Sequence, residues 1–472
     1  MSVIFSLGLL SSLPWLYYLQ VKDYFYLRVV SGLKEQGLKP LFWFLPFKIP
    51  AKSLRNILVL IISFLSLILI AYVMSLNSTI DYQEILILGV SSYFFSRLVV
   101  LVTVILTEPL AYLRREMLIK QASKMVLSSN AVFIGVTGSY GKSSTKEFIA
   151  EILASEFHTG KSVENYNSEV GVAISVLRNL EPDKEYFVSE MGAYTKGTIA
   201  KSASIVKPKM AVLTGLGNQH LDTFGSRANI IEAKSELLRA LPPDGIAYIN
   251  IDCEGYKKAL EYCNCKTVTY SISNHSADVF AAIDRRSSNE IYFSFKYGEI
   301  ETRFETHLPG LHNVLNLLPG IAIALDQGIE ITKIQKSLSS IAPLKGRLSS
   351  TTRSDGVEIV DDSYNNSLMG FSSAVDVMKI YPARKKILIT KGIIELGKEK
   401  KSSYEHLTSK LQGTDIKVFT TDQELANCGE GIEYVSSEKE LLSALSNILD
   451  SGDLLLIKGR FSPNFMKQIN RP

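Results

Sequence analysis

The stretch Gly135–Thr145, GVTGSYGKSST, lies between an apolar run of strand type, AVFIGVT, and a helix-like run, KSSTKEFIAEILASEF. A strand, a glycine-rich turn and a helix in that order leave few folds open. The helix must aim its free N–H groups and positive dipole end into the turn, which makes the turn an anion site. Phe148, Ile149, Ile152 and Leu153 share one face of the helix, as in a helix packed on a sheet. The glycines stand at 135, 138 and 141, whereas a strict phosphate loop of the form G-x-x-x-x-G-K-[ST] needs one where Val136 stands. Lys142 is placed to reach terminal phosphates, and the Ser143 hydroxyl to bind Mg2+.

The same alternation continues down the chain. YFVSEMG, MAVLTGLG and IAYINID are further buried-strand runs separated by helix-like stretches, the pattern of a parallel sheet. VTYSI, DVFAAID and EIYFSFKYGEIETRFETHLPG alternate more strictly and predict antiparallel strands. A helix follows in HNVLNLLPGIAIALDQG, with a kink expected at Pro319. PLKGR reads as a linker, and VEIVDDS, KKILITKG, IKVFTT and DLLLIKG outline a second α/β unit. The fold class is α/β, with one domain expected over 128–343 and another over 344–472.

The first 127 residues read differently. The chain is 46% hydrophobic, with mean hydropathy +0.13. Ile57–Ser75 holds 19 residues without a charge, about 28 Å as a helix against a bilayer core of about 30 Å. Ile85–Thr107 adds 23 residues with one charge, Arg97, which would cost at least ~2.5–3.5 kcal/mol at mid-membrane. Val3–Leu19 lacks a basic lead and a cleavage site, so it is expected to be a retained helix and not a signal peptide. Lysines and arginines crowd 20–55 and follow 108, whereas 77–84 has none. These features predict a multi-pass protein of the cytoplasmic membrane, with spans at 3–19, 57–75 and 85–107 and the later domains in the cytoplasm. A net charge of +4 without a long basic run gives no case for nucleic acid. The four cysteines read as reduced thiols.

The loop GVTGSYGKS resembles the ATP loop of the Mur ligase family, and further motifs match in order over about 130–472. The resemblance is strongest to the branch that adds D-alanyl-D-alanine to a muramoyl tripeptide. It implies a central parallel-sheet ATP-binding domain and a Rossmann-like C-terminal domain, with ATP and Mg2+ required. The implied nucleotide contacts are Thr137, Gly138, Ser139, Gly141, Lys142, Ser143 and Ser144. ENYNSEVG supplies Asn165 and Asn167 for substrate, VSEMG supplies Glu190 for magnesium, and GNQHLDTFGS supplies His220 for metal. EAKSELL places Lys234 at the lysine carbamylated in many members. LHNVLN gives Asn313 and Asn316 for adenine, LKGR gives Arg347, and VDDSYNNS gives Asp362 for ribose and Asn365 for substrate. LLLIKGRF places Lys458 at the substrate. Lys142, His220 and Lys234 are the implied catalytic residues.

These residue types suit amide-bond formation. A carboxylate must be activated by phosphorylation, and two anions then meet, so cations must cancel their repulsion. The implied partners are ATP, a UDP- or lipid-linked muramoyl peptide, and a dipeptide or amino acid. Three departures bear on substrate. The family's UDP-holding domain is replaced by the apolar front. Ser367 stands where an asparagine is usual, and Arg460 where a serine is usual. Alternative readings are a ligase for another polymer, of poly-γ-glutamate or folate type, and a silent membrane scaffold.

Overall fold

The computed structural model describes residues 12–20, 29, 50, 53–75, 82–164, 166–217, 221–288, 290–364, 366, 368–393 and 400–471. It divides into two units, Met1–Leu118 and Ile119–Pro472.

The first unit contains helices at 12–20, Leu54–Ser75 and Tyr82–Leu127, the last running on into the second unit. Trp15, Leu16, Tyr18, Leu19, Val59, Val100 and Val104 make a small core. Arg55 pairs with Glu108, and so does Arg115. Arg97 is buried, while Leu65 and Leu69 on Leu54–Ser75 are exposed. The expected multi-pass placement is corrected here. Among the described residues one helix, Phe95–Leu127, is long and apolar enough to cross a membrane. Of the span expected at 3–19, residues 3–11 lie outside the described residues, and 12–19 are helical. The helix expected to end at 107 instead continues to Leu127.

The second unit holds two sheets. The first contains β1 (Val132–Thr137), β2 (Thr159–Lys161), β3 (Tyr186–Glu190), β4 (Met210–Leu213), β5 (Ile246–Asn250), β6 (Lys266–Ser271), β7 (Val279–Arg286), β8 (Ile291–Tyr297) and β9 (Ile300–Thr306). Their order is β2-β3-β1-β4-β5-β6-β7-β8-β9. β2 to β7 run parallel, and β8 and β9 complete an antiparallel meander. VTYSI thus lies in a parallel strand, β6, contrary to expectation. Alternation reports which face is buried, not strand direction, and Val268 and Tyr270 share the buried face.

Helices cover both faces of this sheet. Lys142–Leu153, Leu311–Asp326 and Ile331–Ser340 enclose one apolar core. Glu169–Asn179, Thr198–Val206 and Arg227–Arg239 enclose the other, joined by Ile119, Ala122 and Val126. Pro319 lies inside the continuous helix Leu311–Asp326.

The second sheet contains β10 (Ser349–Thr352), β11 (Glu358–Asp362), β12 (Lys386–Thr390), β13 (Ile416–Thr420), β14 (Ile432–Tyr434) and β15 (Leu454–Lys458), ordered β10-β11-β15-β12-β13-β14. Only the β10–β11 pairing is antiparallel. The residues of β15 and β12 are buried throughout, which explains their unbroken apolar runs.

Candidate active site

β1 lies between β3 and β4, and the chain crosses to opposite sides of it. In a doubly wound sheet this reversal opens a crevice beyond the strand C-termini. Thr137 ends β1, Glu190 ends β3, and Thr214 directly follows β4. The loop 138–141 fills the crevice and leads into the helix Lys142–Leu153.

The loop is pinned from two sides. Gly138 and Gly141 have φ of 152° and 81°, and a Cβ on Gly141 would sit 2.5 Å from Asn316 Oδ1. Neither position tolerates a side chain without strain. Ser139 N donates to Gly215 O at 2.7 Å, Ser139 Oγ donates to Gly217 O at 3.2 Å, and Gly217 N donates back to Ser139 Oγ at 3.1 Å. Thr214 Oγ1 donates to Tyr140 O at 2.5 Å, and the Tyr140 ring lies against Gly215. The segment 214–217, three residues short of His220, is therefore joined to the glycine loop.

Lys142 Nζ donates to Gly138 O at 2.8 Å and Ser139 O at 3.4 Å. Burial, opposed by Glu190 and aided by Arg347, holds its pKa below the ordinary lysine value. Lys234 is 3% exposed on Arg227–Arg239. Burial first and the charge of Lys142 second drive its pKa well down, against Glu190 and Glu236. Glu190 is 1% exposed and accepts from Asn167 Nδ2 at 2.9 Å through Oε1. Its Oε2 is buried and has no hydrogen-bond partner among the described residues. A carboxylate oxygen in that state is costly unless a cation completes it, so the donor set fits Mg2+, with the Ser143 hydroxyl in the first turn of the helix Lys142–Leu153 as a candidate further oxygen.

Of the other expected residues, Asn316 and Arg347 meet the glycine loop and the first turn of its helix, while Asn313, Asp362 and Lys458 make their contacts elsewhere. Asn316 Oδ1 accepts from Thr145 Oγ1 at 3.4 Å, beside Gly141. Asn313 Nδ2 donates to Pro309 O at 2.8 Å, so its amide is already engaged. Arg347 donates to Ser144 Oγ at 2.8 Å, with its guanidinium 4.2 Å from the Tyr364 ring centroid. Asp362 and Lys458 stand side by side on β11 and β15 and form a buried ion pair. Burial raises the Asp362 carboxyl above its ordinary value, and Lys458 opposes the shift. Asn165, His220 and Asn365 lie outside the described residues, as does Ser367.

Three residues beyond the sequence reading shape the site: Tyr140 and Thr214, which fasten the loop, and Lys146, which is fully buried. Lys146 lies three residues before Ile149 and seven before Leu153, on their apolar face. That spacing was the available signal for burial.

The chain matches two family models, the Mur ligase middle domain over residues 136–324 and the Mur ligase glutamate ligase domain over 346–461. It is 30% identical over 334 residues to the UDP-N-acetylmuramoyl-tripeptide–D-alanyl-D-alanine ligase of Synechocystis sp., covering 69% of this chain and 71% of that one. Among solved structures it resembles MurF from Acinetobacter baumannii with TM-score 0.70 at 24% identity, over 75% of this chain and 80% of that one. It also resembles MurF ligase from Thermotoga maritima in complex with ADP, with TM-score 0.67 at 24% identity, over 75% and 82% of the two chains. Both likenesses concern the fold. The two matched models fall on the two sheets in chain order, and the first begins at the last residues of β1, directly before the glycine loop: this chain belongs to the Mur ligase family and is an ATP-dependent ligase.

Proposed function

We propose that the enzyme joins D-alanyl-D-alanine to the carboxyl end of a muramoyl tripeptide through an acyl phosphate. The observation that carries the site assignment is the group formed by half-buried Lys142 just after β1, the buried, half-partnered Glu190 at the end of β3, and buried Lys234 on Arg227–Arg239, whose charges bear on one another. The acceptor and donor follow from the Synechocystis relative, whose name states that reaction.

In this reading the tripeptide carboxylate attacks the γ-phosphorus of ATP, and ADP leaves. The dipeptide amine attacks the acyl carbon, inorganic phosphate leaves, and the nitrogen gives up a proton. Lys142 turns from the carbonyls of Gly138 and Ser139 to the γ-phosphate. N–H groups at the start of Lys142–Leu153 hold the phosphate chain. Asn316 borders the adenine, Arg347 approaches the phosphates beside Ser144, and Asp362 takes the ribose. Ser143, Glu190 and His220 would hold Mg2+, which offsets the charge of carboxylate and phosphate as they meet. Asn165, Asn167, Asn365 and Lys458 are assigned to the peptide substrates. Burial holds the Lys234 pKa well below its ordinary value, which favours the neutral amine, the form that takes up CO2. Lys234 is accordingly assigned a carbamate that orients the site.

Residues 1–127 lie outside both matched models. We assign them the place of the family's UDP-binding domain, so that recognition of the precursor rests more heavily on the central domain. The test is ADP release by the purified chain with UDP-muramoyl tripeptide, comparing D-alanyl-D-alanine with single amino acids including glutamate. Release that needs the dipeptide and vanishes in Lys142→Ala supports the reading. Release with glutamate on a non-muramoyl acceptor would move the enzyme to another branch of the family.

A further inference from the structure

Lys146 Nζ lies at the centre of a buried junction that the reaction scheme leaves unused. Its residue is 0% exposed. The ammonium has three donors, and each has an acceptor: Ser162 O at 2.9 Å, Glu164 O at 3.2 Å and Glu147 Oε1 at 2.9 Å. Glu147 is also paired with Lys161 on β2. Burial works against the Glu147 carboxylate, yet the two lysines hold its pKa below the ordinary value.

The two carbonyls belong to the stretch 162–164 that follows β2, where Val163 O accepts from Tyr166 N at 2.9 Å. Glu164 holds φ of +23°, a conformation disfavoured for a residue with a Cβ. Residues on either side of Glu164 reach Glu190. Ser162 Oγ accepts from Glu190 N at 3.0 Å. Asn167 donates through Nδ2 to Glu190 Oε1 at 2.9 Å and accepts from Gly192 N through its carbonyl at 2.7 Å. Lys146 itself lies one helical turn beyond Lys142.

We propose that Lys146 is a positioning residue for the metal-side carboxylate. It holds the strained backbone at Glu164, and through Ser162 and Asn167 it fixes the orientation that leaves Glu190 Oε2 buried and without a hydrogen-bond partner among the described residues. The inference rests on Glu190 being a cation ligand, and its test separates the two claims.

The probe is Mn2+ binding to the full chain with ADP, followed by electron paramagnetic resonance, alongside kcat and the KM for ATP. Glu190→Ala is the control; if it binds Mn2+ as the wild type does, the ligand assignment itself fails. With that control passed, Lys146→Met is expected to weaken Mn2+ binding and lower kcat at least tenfold, with the KM for ATP changed less than threefold. Adding Glu164→Gly to Lys146→Met is expected to recover at least threefold in both, because glycine adopts a positive φ unaided. Ser162→Ala breaks one link downstream and is expected to weaken Mn2+ binding at least threefold in a folded protein, which keeps the test open if Lys146→Met does not fold. Wild-type Mn2+ binding by Lys146→Met or by Ser162→Ala, or no recovery with Glu164→Gly, overturns the proposal.

Discussion

At the level of single residues, the buried lysines separate stability from function. Lys234 has a folded-state pKa below its unfolded value, so the folded chain binds fewer protons between the two. Stability then rises with pH across that interval, and the cost of burial is greatest below the folded pKa. In CO2-free buffer at pH 7, Lys234→Met is expected to be more stable than wild type by on the order of 1 kcal/mol, since an apolar side chain replaces a lysine whose charged form burial penalises. The difference should shrink toward about pH 10.4, the unfolded lysine value, and urea titrations at a series of pH values measure it. Activity should fall in the same variant, and bicarbonate should stimulate the wild type only. Lys142→Ala should lose about 100-fold or more in kcat with an unchanged melting temperature, the scale of removing one group that stabilises developing charge. Lys142 was legible in the sequence because glycines and a hydroxyl frame it. Lys146, four residues later, was not read: a lysine in a helix is ordinarily solvated, and only its register with Ile149 and Leu153 shows otherwise.

At the level of elements, the glycine loop and the paired strand ends make separable predictions. Gly141→Ala places a Cβ at left-handed φ and against Asn316 Oδ1. It should cost about 1–2 kcal/mol, the left-handed penalty of an L-residue, and raise the KM for ATP as the helix start shifts. Steady-state kinetics with a matched thermal melt distinguish the two effects. Lys458→Met leaves Asp362 buried beside β15 without its partner; such a loss costs about 3–5 kcal/mol. Protonation of Asp362 would relieve it, so the deficit should be smaller at pH 5 than at pH 8 in denaturant melts. The strand runs were legible because β1, β3, β4, β12 and β15 are buried on both faces, and continuous apolar runs follow. The direction of β6 was not, because pairing partners lie far apart in the chain and side-chain alternation carries no information about them.

At the level of the whole molecule, apolar length was a poor guide to the front of the chain. Nineteen and 23 apolar residues satisfy a bilayer's length requirement, but the second run is part of a longer helix. Tyr82–Leu127 passes through its expected boundary, and Ile119, Ala122 and Val126 lie in the core of the ligase unit. The order of the two catalytic sheets, by contrast, was readable from motifs, because the glycine loop, Glu190, Asp362 and Lys458 each sit at a strand end where the chain must turn. Arg347 ties those sheets together across the site. It follows the stretch between Ile331–Ser340 and β10, and it bonds to Ser144 in the first turn of the phosphate helix while stacking on Tyr364 beside β11. A guanidinium makes both contacts at once through its planar fork, which an ammonium cannot reproduce. Arg347→Lys should therefore lower kcat about tenfold or more while each sheet keeps its own stability, because it loosens the seat of the second sheet and not its core. Hydrogen exchange should report the change as faster exchange at 346–364 and in the first turn after Lys142, with β12 and β15 unchanged. Protection of 346–364 equal to wild type, with kcat still reduced, would assign Arg347 to the phosphates alone and remove it from domain closure.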